Sequence, residues 1–294
     1  MVVGAVVPAG ALELRVPSPV EELRDERLAR AGVRLLLKRD DLINPDIPGN
    51  KWRKLKYNLE AARRQRHGLL LTFGGAYSNH VRATAAAGHH FGFSTVGVIR
   101  GEEHLPLNPV LAYAVSRGMR LTYMDRTAYR RKNSREVTSR LRQRFGRFYL
   151  LPEGGSNGLA VRGCAEIPAE IGEAFDVICC PCGTGGTLAG IAQGLGEGQR
   201  ALGFSVLKGA GFLERAVADL QARPSGNWSL EHGFHFGGFA RRAPLLDRFI
   251  AEFHERHGLD LNWVYTAKMM YGIYALAGQA ALPPGTAIVA VITG

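Results

Sequence analysis

Cysteine is scarce in this chain. There are four in 294 residues, and three of them fall in one short stretch, VICCPCG. No second pair stands at zinc-ligand spacing, which excludes the common structural zinc frameworks. Neighbouring cysteines on a strand face opposite ways, so Cys164, Cys179, Cys180 and Cys182 are expected to be reduced packing residues. The nine histidines include no H-E-x-x-H, and no metal centre is expected. Long apolar runs are also missing. The early uncharged stretch MVVGAVVPAGAL is too short to span a bilayer and has no basic segment ahead of it. The expectation is no leader, no membrane association and a cytoplasmic location.

Acidic residues are outnumbered, 26 against 37 basic ones, which leaves a formal net charge of +11. The longest basic stretch, RTAYRRKNSREVTSRLRQRFGR, mixes arginines with acids and apolar residues. It predicts one amphipathic surface helix with a basic outer face. Helix-turn-helix, zinc-finger and aromatic RNA-binding signatures are lacking, so nucleic acid is not expected as a partner. A positive field would instead gather a small carboxylate substrate.

What is present is a globular chain, 46% hydrophobic and 21% charged, long enough for a large core. Apolar strands alternate with helical segments. VRLLLKRDD, LLLTFGG, STVGVIRG, MRLTYMD, FDVICCPCG and TAIVAVITG read as strands. NKWRKLKYNLEAARRQ, SNHVRATAAAGHHFG, PVLAYAVSRG and TLAGIAQGL read as helices. This alternation predicts an α/β protein with mostly parallel sheets. The strands fall into a middle set and a late set, which predicts two sheets.

Two strand-to-helix loops carry chemistry. CGTGGTLAG, residues 182–190, offers glycine N–H groups, a helix N-terminus and the hydroxyls of Thr184 and Thr187. Leu188 stands where a dinucleotide fingerprint needs glycine, and the Gly-Lys pair of a Walker loop is absent. The loop therefore suits a single phosphate monoester. The alternative is a tight turn with no ligand. GGAYSNH, residues 74–80, provides Ser78 or Asn79 as a helix cap. Its free N–H groups could also hold a carboxylate. In PGNKWRKL, Lys51 opens a helix, with Lys54 one turn further on the same face. A phosphate loop, a carboxylate loop and a lysine together fit pyridoxal 5'-phosphate: the lysine holds its aldehyde, the loop its phosphate, and the ring is the electron sink.

KRDDL, GNKWRKL, GGAYSNH, CGTGGTLAG, VYTAKMMYG and the closing VITG stand in this order along the chain. Together they resemble the tryptophan-synthase-like, fold-type-II pyridoxal-phosphate enzymes. Within these, the chain is similar to the branch of aminocyclopropane-carboxylate deaminase and D-cysteine desulfhydrase. The resemblance runs from about Val33 to Gly294. It implies two three-layer open-sheet domains: a large cofactor-binding domain of residues 1–53 and 160–294, and a small one of residues 54–159. It implies a homodimer. By position, Lys51 matches the Schiff-base lysine and Lys54 a residue reaching the cofactor phosphate. Asn79 matches the partner of the ring oxygen, and Ser78 the serine that acts on the substrate. Gly183, Thr184, Gly185, Gly186 and Thr187 match the phosphate loop. Tyr265 matches an active-site tyrosine, and Thr293 the polar residue beside the pyridine nitrogen. Tyr77, His80 and Phe239 fall at substrate-facing positions.

The branch's deaminases carry glutamate after the tyrosine of Y-x-G-K and leucine near the C-terminus. This chain has Thr266 and Thr293 there, as desulfhydrases do. The resemblance thus implies elimination from a small amino acid such as D-cysteine, giving a 2-keto acid and ammonia. Phe239 replaces an expected tyrosine, and Ala267 a usual glycine. Ring opening, β-replacement, a biosynthetic step on a larger amino acid, and cofactor binding without turnover are the alternatives.

Overall fold

The structure, a computed structural model, describes residues 12–293. Most of the MVVGAVVPAGAL stretch lies outside them. Ten strands occur among the described residues: β1 (Val20–Leu23), β2 (Arg34–Lys38), β3 (Leu69–Gly74), β4 (Ser94–Arg100), β5 (Met119–Met124), β6 (Tyr149–Leu151), β7 (Val177–Cys182), β8 (Arg200–Ser205), β9 (Trp228–Glu231) and β10 (Ala287–Val291). The chain forms two compact units. One comprises Asn58–Gly155 with residues 12–15, the other Val16–Tyr57 with residues 156–293.

The larger unit is built on a six-stranded sheet in the order β1-β2-β10-β7-β8-β9. Every pairing is parallel except β1 with β2. Side chains alternate across it as a pleated strand requires. Leu36, Cys180, Cys182, Val289 and Val291 enter one core, against the helices Gly158–Cys164, Gly186–Gly194 and Leu213–Leu220. Leu35, Leu37, Cys179, Ile288 and Ala290 enter another, against Pro244–His257 and Thr266–Gly278. Helices on both faces make three layers. All four cysteines are free and buried, and the VICCPCG thiols divide between the two faces as expected.

The smaller unit has a four-stranded parallel sheet in the order β5-β4-β3-β6. Leu71, Phe73, Val96 and Val98 face the helices of residues 126–145, while Ile99 joins the helices Asn79–Phe91 and Pro109–Ser116 on the opposite side.

Two expectations are corrected. The basic stretch is not one helix. It breaks into Arg126–Arg130 and Arg135–Phe145, because Asp125 and Ser134 each act as an N-cap, Ser134 Oγ accepting from the Val137 amide. The sheet of late strands also takes in β1 and β2 from the start of the chain, with β2 lying between β1 and β10. That pairing spans about the whole sequence and leaves no local signal.

Candidate active site

The helix Asn50–Arg64 carries both lysines of PGNKWRKL. Gly49, at φ +61°, turns the chain into it and packs against the Thr293 backbone, where a Cβ would fall 1.8 Å from the carbonyl oxygen. A buried ion cluster fixes the helix start. Arg53 donates to both oxygens of Asp40, at 2.6 and 2.7 Å, and to both oxygens of Glu170, at 2.7 and 2.8 Å. Lys38 donates to Glu170 at 2.8 Å, and Ser18 Oγ to Asp40 at 2.6 Å.

Lys51 is half-buried. Burial, reinforced by the charge of Lys54, lowers its pKa to about 7. An appreciable fraction is then the neutral, nucleophilic amine at physiological pH, which ordinary lysine is not. Lys51 Nζ donates to Asn50 Oδ1 at 2.9 Å, while Asn50 Nδ2 donates to Thr187 Oγ1 at 2.8 Å. Lys54 is buried, and desolvation lowers its pKa as well. Its amine donates to Ser156 Oγ at 3.3 Å, and Ser156 shares a 2.7 Å hydrogen bond with Thr184 Oγ1.

These contacts bring Lys51 and Lys54 to the loop at residues 183–187. Gly185 adopts the left-handed conformation, φ +77°, and caps the helix Gly186–Gly194 without a side-chain bond to its first amides. A Cβ on Gly185 would come within 2.7 Å of Val217, and one on Gly186 within 2.5 Å of Ser156 Oγ. The loop is thus a bare-backbone cradle at a helix N-terminus, ringed by the Ser156, Thr184 and Thr187 hydroxyls and the Lys54 amine. That donor set fits a phosphate, and the Lys51 amine fits an aldehyde. Tyr265 stands at the head of the helix Thr266–Gly278, its ring beside Gly183, where a Cβ would meet it at 3.4 Å. Phe239 packs edge-on against Tyr265, with ring centroids 5.9 Å apart. Thr266 Oγ1 is turned back to Asn262 O at 3.4 Å. Thr293 is buried at the end of β10.

In the smaller unit, Ser78 is the N-cap of the helix Asn79–Phe91 and accepts from the Val81 amide at 3.3 Å. Asn79 and His80 form its first turn, and His80 is buried beside Gly155. Tyr77 is the exposed residue of this loop, 60% accessible.

Asn50 and Ser156 were not legible as site residues. Asn50 reads as a turn residue behind Pro-Gly, and Ser156 lies in a polar segment after β6. Only the fold brings them to Thr187 and to Lys54.

A family model described as pyridoxal-phosphate dependent enzyme matches residues 13–218. A putative 1-aminocyclopropane-1-carboxylate deaminase of Pyrococcus furiosus is 31% identical, over 90% of this chain and 85% of its own. A D-cysteine desulfhydrase of Klebsiella pneumoniae is 28% identical, over 87% of this chain and 85% of its own. The crystal structure of an ACC deaminase homologue, 27% identical, superposes with a TM-score of 0.80, covering 99% of this chain and 90% of that one.

Proposed function

Because the chain belongs to the pyridoxal-phosphate dependent enzymes, we propose that it is a lyase of small amino acids. It acts by α,β-elimination of the D-cysteine desulfhydrase kind: the α-proton and the β-thiolate leave, the latter as sulfide, and water completes the conversion to a 2-keto acid and ammonia. The observation that carries this reading is the Lys51 amine, with its pKa near 7, one helical turn from a lysine that reaches the hydroxyls of a phosphate cradle.

When bound, pyridoxal phosphate supplies an electron sink for the bond breaking at the substrate's α-carbon. The larger unit's residues 183–187, with Lys54, Ser156 and Asn50, would hold the phosphate. Lys51 would hold the aldehyde end and, once the substrate's amine has replaced it there, would be free as a neutral amine to accept the α-proton. By the resemblance, Ser78 would assist that proton transfer and Asn79 would bond the ring oxygen. Tyr77, His80 and Phe239 face the substrate, and Tyr265 packs at the phosphate loop. Thr293 would offer a hydroxyl to the pyridine nitrogen, and a hydroxyl would not hold a cation there as a carboxylate would. This favours elimination over transamination.

Ring opening is the second reading, favoured by the name of the Pyrococcus relative. Thr266 weighs against it: its side chain carries no carboxylate, and its hydroxyl is turned back to the Asn262 carbonyl in the turn ahead of the helix.

The test supplies the holoprotein with D-cysteine, β-chloro-D-alanine and aminocyclopropane-carboxylate, and measures keto acid and ammonia. The two β-substituted substrates should turn over well ahead of the cyclopropane, and Phe239→Tyr should raise their rate. A positioned acid or base is worth ~10²–10⁴-fold. Borohydride should fix the cofactor to Lys51. Faster turnover of the cyclopropane would overturn the elimination, and label on another lysine would overturn Lys51. We further assign a cytoplasmic homodimer. Light scattering at micromolar concentration should give twice the chain mass, and a monomer would refute that state.

A further inference from the structure

Lys268 is fully buried, and no part of the reaction so far uses it. It stands on the helix Thr266–Gly278, one turn from Tyr265. Its amine donates to His235 O at 2.9 Å and to Gly238 O at 2.8 Å. Both carbonyls belong to the loop of residues 235–240, which carries Phe239.

The backbone of that loop is unusual. Phe236, Gly237, Gly238 and Ala240 all have positive φ, at 51°, 89°, 116° and 51°. Two of the four are not glycine and hold the left-handed conformation only because their surroundings impose it. Phe234, just ahead of the loop, packs over Gly272, where a Cβ would lie 2.8 Å from its ring. Phe236 sits edge-on to Tyr271 with centroids 4.9 Å apart. Both rings restrain the loop's beginning. Lys268 reaches Gly238, the residue before Phe239. The head of one helix therefore holds Tyr265, against which Phe239 packs, and the amine that ties down the loop bearing Phe239.

An ammonium is suited to this task. It presents three donors, enough to serve both carbonyls at once, and no apolar side chain of the same length can. Burial without those acceptors would be strongly unfavourable for the amine, so the loop and the lysine hold each other in place.

We propose that Lys268 is a positioning residue that sets the size of substrate accepted, by latching the 235–240 loop so that Phe239 stands against Tyr265. This rests on the reading of Phe239 and Tyr265 as residues of the substrate site.

The test is a double-mutant cycle on the holoenzyme with Lys268→Met, Phe239→Ala and the pair. The ratio of kcat/KM for D-cysteine to that for S-benzyl-D-cysteine is the readout. Lys268→Met should lower this preference by ~10-fold, the scale at which pocket size discriminates. In the Phe239→Ala background the same change should shift it by less than about twofold, because Lys268 acts through Phe239. Trypsin gives an arm independent of turnover. Cleavage after Arg241 and Arg242, which follow the loop, should be faster in Lys268→Met than in the parent. If Lys268→Met does not fold, Lys268→Gln, which keeps a shorter donor, takes its place. An unchanged preference and an unchanged cleavage rate would overturn the latch, as would an equal effect of Lys268→Met with and without Phe239. A parent enzyme that releases no keto acid would instead overturn the elimination itself, while faster cleavage would still support the latch on the loop.

Discussion

Ser78 is a helix cap in the structure and, in the proposed reaction, a group that acts on the substrate. Its oxygen accepts from the Val81 amide, so Ser78→Ala should cost about 1 kcal/mol of stability through the lost cap. Its hydroxyl hydrogen remains available to a substrate. Ser78→Asn separates the two roles, since asparagine caps as well as serine but has no hydroxyl. Thermal unfolding of Ser78→Asn should stay close to that of the parent while keto-acid release falls. Full turnover in Ser78→Asn would leave Ser78 as a cap alone. The grouping of Lys51 and Lys54 with the loop at residues 183–187 in the candidate site was legible at this scale, because lysines, hydroxyls and glycines in fixed short motifs carry their chemistry locally. What escaped was long-range. Ser156 is 102 residues from the Lys54 it contacts, and Asn50 is 137 from Thr187. Lys268 was visible in VYTAKMMYG, but its carbonyl partners follow only from the loop's left-handed residues.

The helix Asn50–Arg64 is held by ion pairs more than by its apolar stripe at the end that matters. Arg53 and Asp40 are 1% and 0% exposed, and both oxygens of Glu170 also face Arg53. Those bonds hold the Glu170 carboxyl down at about 2 against the opposing pull of burial. Arg53→Met keeps the volume but leaves Glu170 with Lys38 and Asp40 with only the Ser18 hydroxyl, and removing one partner of a buried pair costs about 3–5 kcal/mol. Denaturant unfolding should show a loss of that size. A change under about 1 kcal/mol would mean that water or another cation takes the place of Arg53. The elements themselves were largely readable, since strands and helices follow from periodicity and glycine-marked ends. Their partners were less so. The place of β2 between β1 and β10 depends on which apolar surfaces are left to cover, and the break at residues 131–134 depends on two caps inside an otherwise helical charge pattern.

Across the whole molecule, burial acts on the amines in one direction. Lys51, Lys54 and Lys268 all have pKa values lowered by desolvation, to about 7 for Lys51 and about 8 for Lys268. A lysine whose pKa in the fold lies below its unfolded value of 10.5 binds fewer protons folded than unfolded throughout the interval between them. Stability then rises with pH in that interval. The buried thiols of Cys164, Cys179 and Cys180 are shifted upward and oppose this trend near pH 9 and above. Cofactor-free protein should therefore melt at a higher temperature at pH 8.5 than at pH 6.5, and a calorimetric scan showing the reverse would contradict the lowered amines. One further property follows from three glycines. The helix Gly158–Cys164 lies between the lysine helix and the helix behind the phosphate loop. Gly163 meets the former at the Arg53 carbonyl, where a Cβ would sit 1.9 Å away. Gly190 and Gly194 bring the latter up against the carbonyl oxygens of Val161 and Ala165, at 2.7 and 2.1 Å by the same measure. Side-chain contacts can shear by an ångström as rotamers change, but main chain resting on main chain has almost no slack. The span from the Lys51 amine to the phosphate cradle is thus set like the jaws of a calliper, and a rigid aromatic ring of one length is what such a gauge can measure.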